Sequence, residues 1–177
     1  GYEGGGMQIS GDGDIEMNIT DCSFTENQAG YAGGALRVGR GGDLQLKMWT
    51  TEFINNSSDY EGGAVHVGGG LSFEGRMTEV RFDGNTTNYE GAAIELDAGG
   101  GGMLMLVDSW VLNNEATGPS GAIQLSDKDE LFVINVDFGT DETANSPSDI
   151  ANAGNTVTGL GNASNVTCPA IGECSLD

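Results

Sequence analysis

Hydrophobic and polar residues alternate in short runs along this chain, and the runs return every 29 residues. In each unit two apolar residues flank one polar residue, as Leu36 and Val38 flank Arg37. A second alternation begins eight residues later, as at Leu44 and Leu46. A period of two is the pattern of a half-buried β-strand. The sequence therefore predicts a chain built from short strands.

The strands belong to a repeat with two sets of anchor residues. A tyrosine opens most units, and small residues follow at positions 4–6, 33–35, 62–64, 91–93 and 120–122. The second anchor pairs Phe24 with Asn27, Phe53 with Asn56, Phe82 with Asn85, Val111 with Asn114 and, after a two-residue deletion, Phe138 with Asp141. A constant period of this kind is the signature of a solenoid, whose units bury apolar surface by stacking on one another.

A third short strand, at the phenylalanine anchor, completes each unit. Three strands per 29-residue turn predict an all-β fold, a right-handed parallel β-helix of about five turns. The right hand follows from the strong preference of parallel crossovers. The 31 glycines interrupt every window long enough for a helix. We expect residues 1–150 to form the β-helix and residues 151–177 to form an irregular C-terminal tail, acting as a cap or an intersubunit segment.

Equivalent side chains of stacked turns should form columns. The asparagines should form a ladder at a turn, with each amide bonded to backbone or to the next amide about 4.8 Å away. The phenylalanines should stack in the core, and the tyrosines should form a second stacked spine, with a carbohydrate-binding aromatic strip as the alternative. The predicted columns are Asn27, Asn56, Asn85 and Asn114; Phe24, Phe53 and Phe82; and Tyr2, Tyr31, Tyr60 and Tyr89.

Charge and cysteine content limit the partners and the compartment. The net charge is -21, which argues against nucleic acid and anionic membranes as partners. No apolar run approaches the roughly 20 residues of a transmembrane segment, and no signal peptide is present, so we expect a mature soluble chain. Low lysine content, with abundant glycine, asparagine, serine and threonine, favours a secreted, extracellular or cell-surface location.

The three cysteines divide unevenly. Cys168 and Cys174 lie six positions apart in the tail, where a turn can bring them together, and we predict a disulfide between them. Cys22 falls on an inward column beside Phe24, so we expect a buried free thiol there. An intersubunit bond from Cys22 to a tail cysteine is the alternative.

The two anchors together carry a family resemblance. The GGA triplet followed by an aliphatic residue, with a later FxxN, resembles the repeats of the polymorphic outer membrane protein family and of related secreted bacterial β-helix proteins. Residues 33–36 (GGAL) and 62–65 (GGAV) are the clean copies, whereas units one, four and five depart from the pattern. The resemblance extends over residues 1 to about 150 and implies a surface-exposed adhesive or structural role without a reaction.

Candidate chemistry is sparse. Arg37, His66 and Glu95 occupy one outward column on successive turns, a face that polysaccharide-cleaving β-helices use. We predict a surface ladder there. A polysaccharide lyase or hydrolase is only the second alternative, because such enzymes generally need clustered carboxylates or a basic residue beside a cation site, and long loops that form a cleft, whereas the loops here are short. No cofactor is predicted. The acidic first inter-strand loops favour solvated turns, with a Ca²⁺ site as the alternative at Asp12, Asp14 and Asp43.

Two further features predict assembly. The second strands of units four and five are apolar on both faces, which predicts an interface covered by the tail or by a neighbouring subunit. The outward-facing residues of this predicted interface are Met103, Met105, Val107, Phe132 and Ile134. The first repeat begins at residue 2 without a cap, so either a preceding segment is missing or another molecule pairs with the open rung. Head-to-tail pairing of this kind would extend a filament.

These features predict a non-enzymatic extracellular structural protein, a homo-oligomer whose β-solenoid subunits stack end to end in a filament or surface fibre. The first alternative is a monomeric surface adhesin or glycan-binding module with a cell-surface or glycan partner.

Overall fold

The chain forms a parallel β-solenoid of about five turns with about 29 residues in each turn. The structure, a computed structural model, describes residues 2–39, 41–69, 72–118, 121–126, 128–152, 156–160 and 174–176. Residues 152, 156, 160 and 174–176 are described by their backbone. No helix in this part of the chain has the length and apolar character needed to cross a membrane.

The first four turns each contain four strands. Turn one has β1 (Met7–Ile9), β2 (Ile15–Thr20), β3 (Ser23–Thr25) and β4 (Gln28–Ala29); turn two has β5 (Leu36–Gly39), β6 (Leu44–Trp49), β7 (Glu52–Ile54) and β8 (Ser57–Ser58). Turn three has β9 (Val65–Gly68), β10 (Phe73–Thr78), β11 (Arg81–Asp83) and β12 (Thr86–Thr87); turn four has β13 (Ile94–Asp97), β14 (Gly102–Val107), β15 (Trp110–Leu112) and β16 (Glu115–Ala116).

The remaining elements are less regular. They are β17 (Ile123–Leu125), β18 (Glu130–Ile134), a 3-10 helix (Asp141–Thr143), β19 (Ile150–Asn152), β20 (Thr156–Leu160) and β21 (Cys174–Leu176). The strands β19, β20 and β21 extend the stacked sheets beyond residue 150.

Equivalent strands stack into four parallel sheets. Sheet A has the order β1-β5-β9-β13-β17-β19, sheet B β2-β6-β10-β14-β18-β20-β21, sheet C β3-β7-β11-β15 and sheet D β4-β8-β12-β16. Pairing joins equivalent repeat positions, as Phe53 with Phe82. The parallel β-solenoid and its three predicted strands per turn are confirmed. The two-residue strands of sheet D were missed because two residues are too few to show alternation. The right-handed winding stays a prediction.

The core is a set of continuous columns of inward-facing apolar side chains. In sheet A one column runs through Leu36, Val65, Ile94, Ile123 and Ile150, all fully buried. The inward-facing side chains are buried because each turn stacks on the previous one and covers its apolar edge.

Two aromatic columns differ in their exposure. The Phe24, Phe53 and Phe82 rings stack with centroids 4.9 Å apart, and Phe53 and Phe82 are fully buried. The Tyr2, Tyr31 and Tyr60 rings stack on the outside with centroids 5.8 and 5.4 Å apart, and Tyr60 is 53% exposed. The Tyr89 ring is tilted by 53° against Tyr60 at 6.4 Å. The phenylalanine column therefore belongs to the core, whereas the tyrosine column lies at the surface.

The described strand β20 of the tail does not lie across the outer face of sheet B, where one expectation placed Val157. Val157 on β20 pairs with Leu131 and is 3% exposed, so it continues the core as a further rung. The Leu160 side chain and Val166 lie outside the described part of the chain. The outer-face residues Met103, Met105, Phe132 and Ile134 are half-buried, and Val107 is buried. A partner for this face stays a prediction.

Cys22 occupies its predicted column but is exposed, so the expected burial is wrong. Its counterparts Thr51, Val80 and Ser109 are almost fully buried, and its Sγ donates to the Thr20 carbonyl as the Thr51 hydroxyl does to Trp49. The physical reason is position, because no described rung covers the outer side of the first turn. The predicted disulfide of Cys168 and Cys174 lies outside the described side chains.

Candidate functional site

The asparagines form a buried hydrogen-bonded column between sheets C and D. The Asn85 Oδ1 accepts from both the backbone N–H and the Nδ2 of Asn56, at 3.0 and 2.9 Å. The Asn85 Nδ2 donates to the Phe53 carbonyl and to the Asn114 Oδ1, both at 2.9 Å. Asn27 donates to Asn56 in the same way. Each amide therefore joins two turns and satisfies backbone groups in the turn below it.

The last member of this column is Asn145, so the assignment of Asp141 to it is wrong. The Asn114 Nδ2 donates to the Asn145 Oδ1 at 3.0 Å across 31 positions, and Asn145 donates in turn to Asp149. Asp141 is exposed and begins the 3-10 helix. This helix inserts residues after Phe138, which shifts the asparagine out of the 29-residue spacing.

Arg37, His66 and Glu95 lie side by side on β5, β9 and β13, in one column on the outer side of sheet A. Their predicted exposure is wrong, since Arg37 is 9% exposed and His66 and Glu95 are each 3% exposed. The fold thus holds three ionisable side chains in a covered column outside the apolar core.

The glycine turns explain this burial. The first glycine of the triplets in turns one to four has positive φ, as Gly62 at 57°, and a Cβ placed there would lie 2.8 Å from the Cβ of His66. Gly33 and Gly91 contact Arg37 and Glu95 in the same way, at 2.9 Å. These glycines fold the preceding segment against the outer column. The glycine that recurs before the first strand of turns one to four was the sequence feature from which the burial of this column could have been predicted.

The folded-back segment brings Glu61 to the column. The Glu61 Oε2 lies 3.6 Å from the His66 Nε2, and the Glu61 side chain is 27% exposed. The potential ligand atoms of Glu61, His66 and Glu95 all lie within 4.8 Å of one another. Sequence reasoning paired His66 with Glu95 but missed Glu61, because the contact depends on the glycine turn between them.

Several polar atoms of this cluster have no hydrogen-bond partner in the described chain. They are both ring nitrogens of His66, the Oε2 of Glu95, and the Nε and Nη1 of Arg37. The Arg37 Nη1 lies 3.4 Å from the Glu3 Oε2, at an ion-pair distance without hydrogen-bond geometry. Buried polar groups are usually hydrogen-bonded, so this cluster is unusual for a purely structural ladder.

Burial shifts the pKa values of the cluster in opposite directions. Burial, with repulsion from Glu61, Glu90 and Asp97, raises the pKa of Glu95 to about 9. Burial and the Arg37 charge lower the pKa of His66 to about 4. The pKa of Glu61 is also raised, mainly by burial. At neutral pH the isolated protein therefore holds a proton on Glu95 and a neutral imidazole on His66.

These shifts predict a loss of stability at alkaline pH. The unfolded chain ionises Glu95 near pH 4.5, whereas the folded chain keeps this proton until about pH 9, so the two states differ by one proton throughout pH 7 to 9. The folded state then binds more protons, so the free energy of unfolding falls by about 1.4 kcal/mol per pH unit. Burial lowers the pKa of His66 to about 4 and raises the pKa of Asp129 to about 7. Their titrations therefore change the free energy of unfolding mainly below the range of pH 7 to 9.

The measurement is urea denaturation between pH 7 and 9 with EDTA present. Glu95→Gln should lose this alkaline slope relative to the original chain, whereas Glu74→Gln, on an exposed residue of β10, should keep it. Equal slopes in the original chain and Glu95→Gln would contradict the assignment.

The acidic loops near the first turns form a second, exposed group. The Asp14 Oδ1 accepts from the backbone N–H of Asp43 at 3.0 Å, and the Asp43 Oδ1 accepts from Ser72 at 2.8 Å. Asp12 is exposed as well. These contacts account for the carboxylates as turn-stabilising acceptors, and a Ca²⁺ site at Asp12, Asp14 and Asp43 stays a prediction.

Comparison with known families gives a match in turns one to three. Residues 21–38 and 50–68 match the Chlamydia polymorphic membrane protein repeat. Each matched segment contains one FxxN motif, one glycine triplet and the strand that follows, including Arg37 in the first segment and His66 in the second. The repeats and the fold fit a polymorphic outer membrane protein-like β-helix. No curated protein and no solved structure matches the chain.

The match to this repeat bears on location. The polymorphic outer membrane protein-like repeat, together with the β-solenoid, suggests a surface or outer membrane protein. The repeat family consists of surface proteins that are not known enzymes.

Proposed function

We propose that this chain is a non-enzymatic structural subunit of an extracellular surface fibre, assembled by end-to-end stacking of β-solenoids. The observation that supports this function is the set of strand edges at the first turn of the described chain. The strands β1, β2, β3 and β4 are edge strands of all four sheets, and they lie together in this one turn. Edge strands present unpaired backbone groups that another chain can extend.

The same turn leaves the core columns uncovered. Met7 is 41% exposed, whereas its counterpart Leu36 is fully buried. Ile15, Met17 and Phe24 are only half-buried, although they pack against the core cluster. A rung from a second copy would bury these side chains and pair the four strand edges. Such a head-to-tail contact does not close on itself and therefore extends into a fibre.

The charge of the chain predicts how assembly depends on salt. Two copies that each carry a net charge of -21 repel one another at low ionic strength. Salt screens this repulsion, with a Debye length of about 30 Å at 0.01 M and about 8 Å at 0.15 M. Stacking should therefore strengthen as salt is raised through this range.

Assembly is tested by sedimentation velocity and negative-stain electron microscopy of the full chain over a range of concentrations. We expect the original chain to form rods that lengthen with concentration. Met17→Lys places a charge in the open apolar edge and should leave monomers, because a lysine there would be buried by stacking.

Met105→Lys is the matched control, since it makes the same charge change on a half-buried residue of the outer side of sheet B. It should assemble like the original chain. A chain that stays monomeric at all concentrations, or rods that persist equally in Met17→Lys, would refute end-to-end stacking. Melting temperatures of both variants separate a lost contact from a lost fold.

Two alternatives have less support. An adhesin is favoured by the half-buried apolar outer face of Met103, Met105 and Phe132, which a partner protein would cover. Glycan stacking on the Tyr31 ring is disfavoured because Tyr2 and Tyr60 both stack on it. An enzyme that uses Arg37, His66 and Glu95 would need a polymeric substrate to reach side chains that are at most 9% exposed.

A further inference from the structure

His66 carries a buried imidazole that makes no hydrogen bond within the described residues. Its side chain is 4% exposed, and neither ring nitrogen makes a hydrogen bond in the described chain. Leaving a buried donor or acceptor unpaired destabilises the folded chain. The Nε2 points toward Glu61 at 3.6 Å, slightly beyond hydrogen-bond length. A group that sits between this nitrogen and the carboxylates would remove this destabilisation.

The spacing of the surrounding oxygens suits a metal ion. The ligand atoms of Glu61, His66 and Glu95 lie within 4.8 Å of one another. A tetrahedral ion with bonds of about 2.0–2.2 Å separates its ligand atoms by about 3.3–3.6 Å. The Glu61 to His66 distance already falls at this spacing, and the Glu95 Oε2 has no other hydrogen-bond partner. We propose that Glu61, His66 and Glu95 bind one divalent first-row transition metal ion, such as Zn²⁺, between turns three and four.

Charge balance favours a divalent ion at this place. Two carboxylates and one neutral imidazole offset a charge of +2, so the occupied site is neutral despite its burial. Glu90 and Asp97 lie close enough to add negative potential at Glu95. The nearby cation, Arg37, is at ion-pair distance from Glu3.

The ligand types select the class of metal. Imidazole nitrogen with carboxylate oxygen suits Zn²⁺ and its first-row neighbours, whereas Ca²⁺ and Mg²⁺ take oxygen ligands. Three protein ligands leave a fourth position for water. The partly exposed Glu61 lies at the solvent side of the cluster and provides the path by which the ion enters.

The absence of a side chain at Gly68 leaves room for the imidazole of His66. A Cβ at Gly68 would lie 2.4 Å from the His66 Cε1 and 2.7 Å from its Nε2, so the ring packs directly over this glycine. Gly68→Ala should therefore displace the ring while leaving all three ligand residues in the chain. It is a positioning variant, distinct from removal of a ligand.

The experiment is isothermal titration of the chelator-stripped full chain with Zn²⁺, and separately with Ca²⁺. We expect one Zn²⁺ to bind per chain. In the separate titration, Ca²⁺ should not bind at this site with comparable affinity. Glu61→Gln, His66→Ala, Glu95→Gln and Gly68→Ala should each weaken Zn²⁺ binding at least tenfold. Glu74→Gln, which removes an exposed carboxylate from the outer side of sheet B, should leave binding unchanged.

Co²⁺ absorption separates this site from binding by thiolates such as Cys22. The Co²⁺ complex should show the intense visible bands of a four-coordinate ion without a thiolate charge-transfer band. Because Glu61 is partly exposed, Glu61→Gln should keep the fold, and an unchanged melting curve without metal verifies this. Absence of saturable Zn²⁺ binding, unchanged affinity in Glu61→Gln, or a thiolate band would each overturn the proposal.

Discussion

Replacing Asn85 with alanine should lower the free energy of unfolding by about 3 kcal/mol or more. The substitution leaves three buried groups without their present partners: the backbone N–H of Asn56, one N–H of its side-chain amide and the Phe53 carbonyl. Each unsatisfied buried group costs about 1–3 kcal/mol. Urea denaturation followed by far-ultraviolet circular dichroism measures the loss.

Asn27→Ala provides the matched comparison within the same column. Asn27 is half-buried in the first turn, and Asn56 Oδ1 keeps its bond to the Asn27 backbone after the change. We expect a loss of about 1 kcal/mol, since one hydrogen bond disappears and the amide position is accessible to water. Equal losses for the two variants would show that the buried bonds of the ladder do not determine its contribution.

Phe82→Ala should destabilise the β-solenoid by about 3–5 kcal/mol, the range for removing a large buried side chain. The Phe82 ring is fully buried and stacks on Phe53 with centroids 4.9 Å apart. The parallel backbones on either side are fixed by sheet hydrogen bonds, so the cavity cannot readily collapse. The same denaturation experiment measures this effect.

Tyr60→Ala tests whether stacking alone explains that loss. Tyr60 also belongs to a stacked aromatic column, but it is 53% exposed. We expect a loss of about 1 kcal/mol or less, because the residue buries little area and leaves no cavity. If Tyr60→Ala is as destabilising as Phe82→Ala, burial is not what distinguishes the two columns.

The repeat made much of the fold predictable from the sequence. A 29-residue period places equivalent residues one strand spacing apart, so Phe53 and Phe82 could be expected to stack, and Asn56 and Asn85 to bond. These predictions needed no knowledge of the winding of the chain. They required only that identical positions lie in register.

The candidate site was less predictable, because it depends on the path that the backbone takes in the turns between strands. Alternation assigned His66 correctly to the side of sheet A away from the core, but it carried no information on what covers that side. The cover comes from Gly62, whose positive φ returns the chain over His66 and delivers Glu61. Asn145 was missed for a related reason, since the inserted 3-10 helix breaks the spacing on which the prediction depended.

The glycine turn over the outer column requires glycine at one position of the repeat but leaves the side chain beneath it free to vary. Because the side-chain atom nearest this glycine is the Cβ of the residue beneath it, which all three side chains share, one turn geometry accommodates arginine at 37, histidine at 66 and glutamate at 95. The column is therefore a row of equivalent sheltered positions whose chemistry can change from one turn to the next. A β-solenoid of this kind can acquire or lose a polar site by single substitutions while its core and its length stay the same.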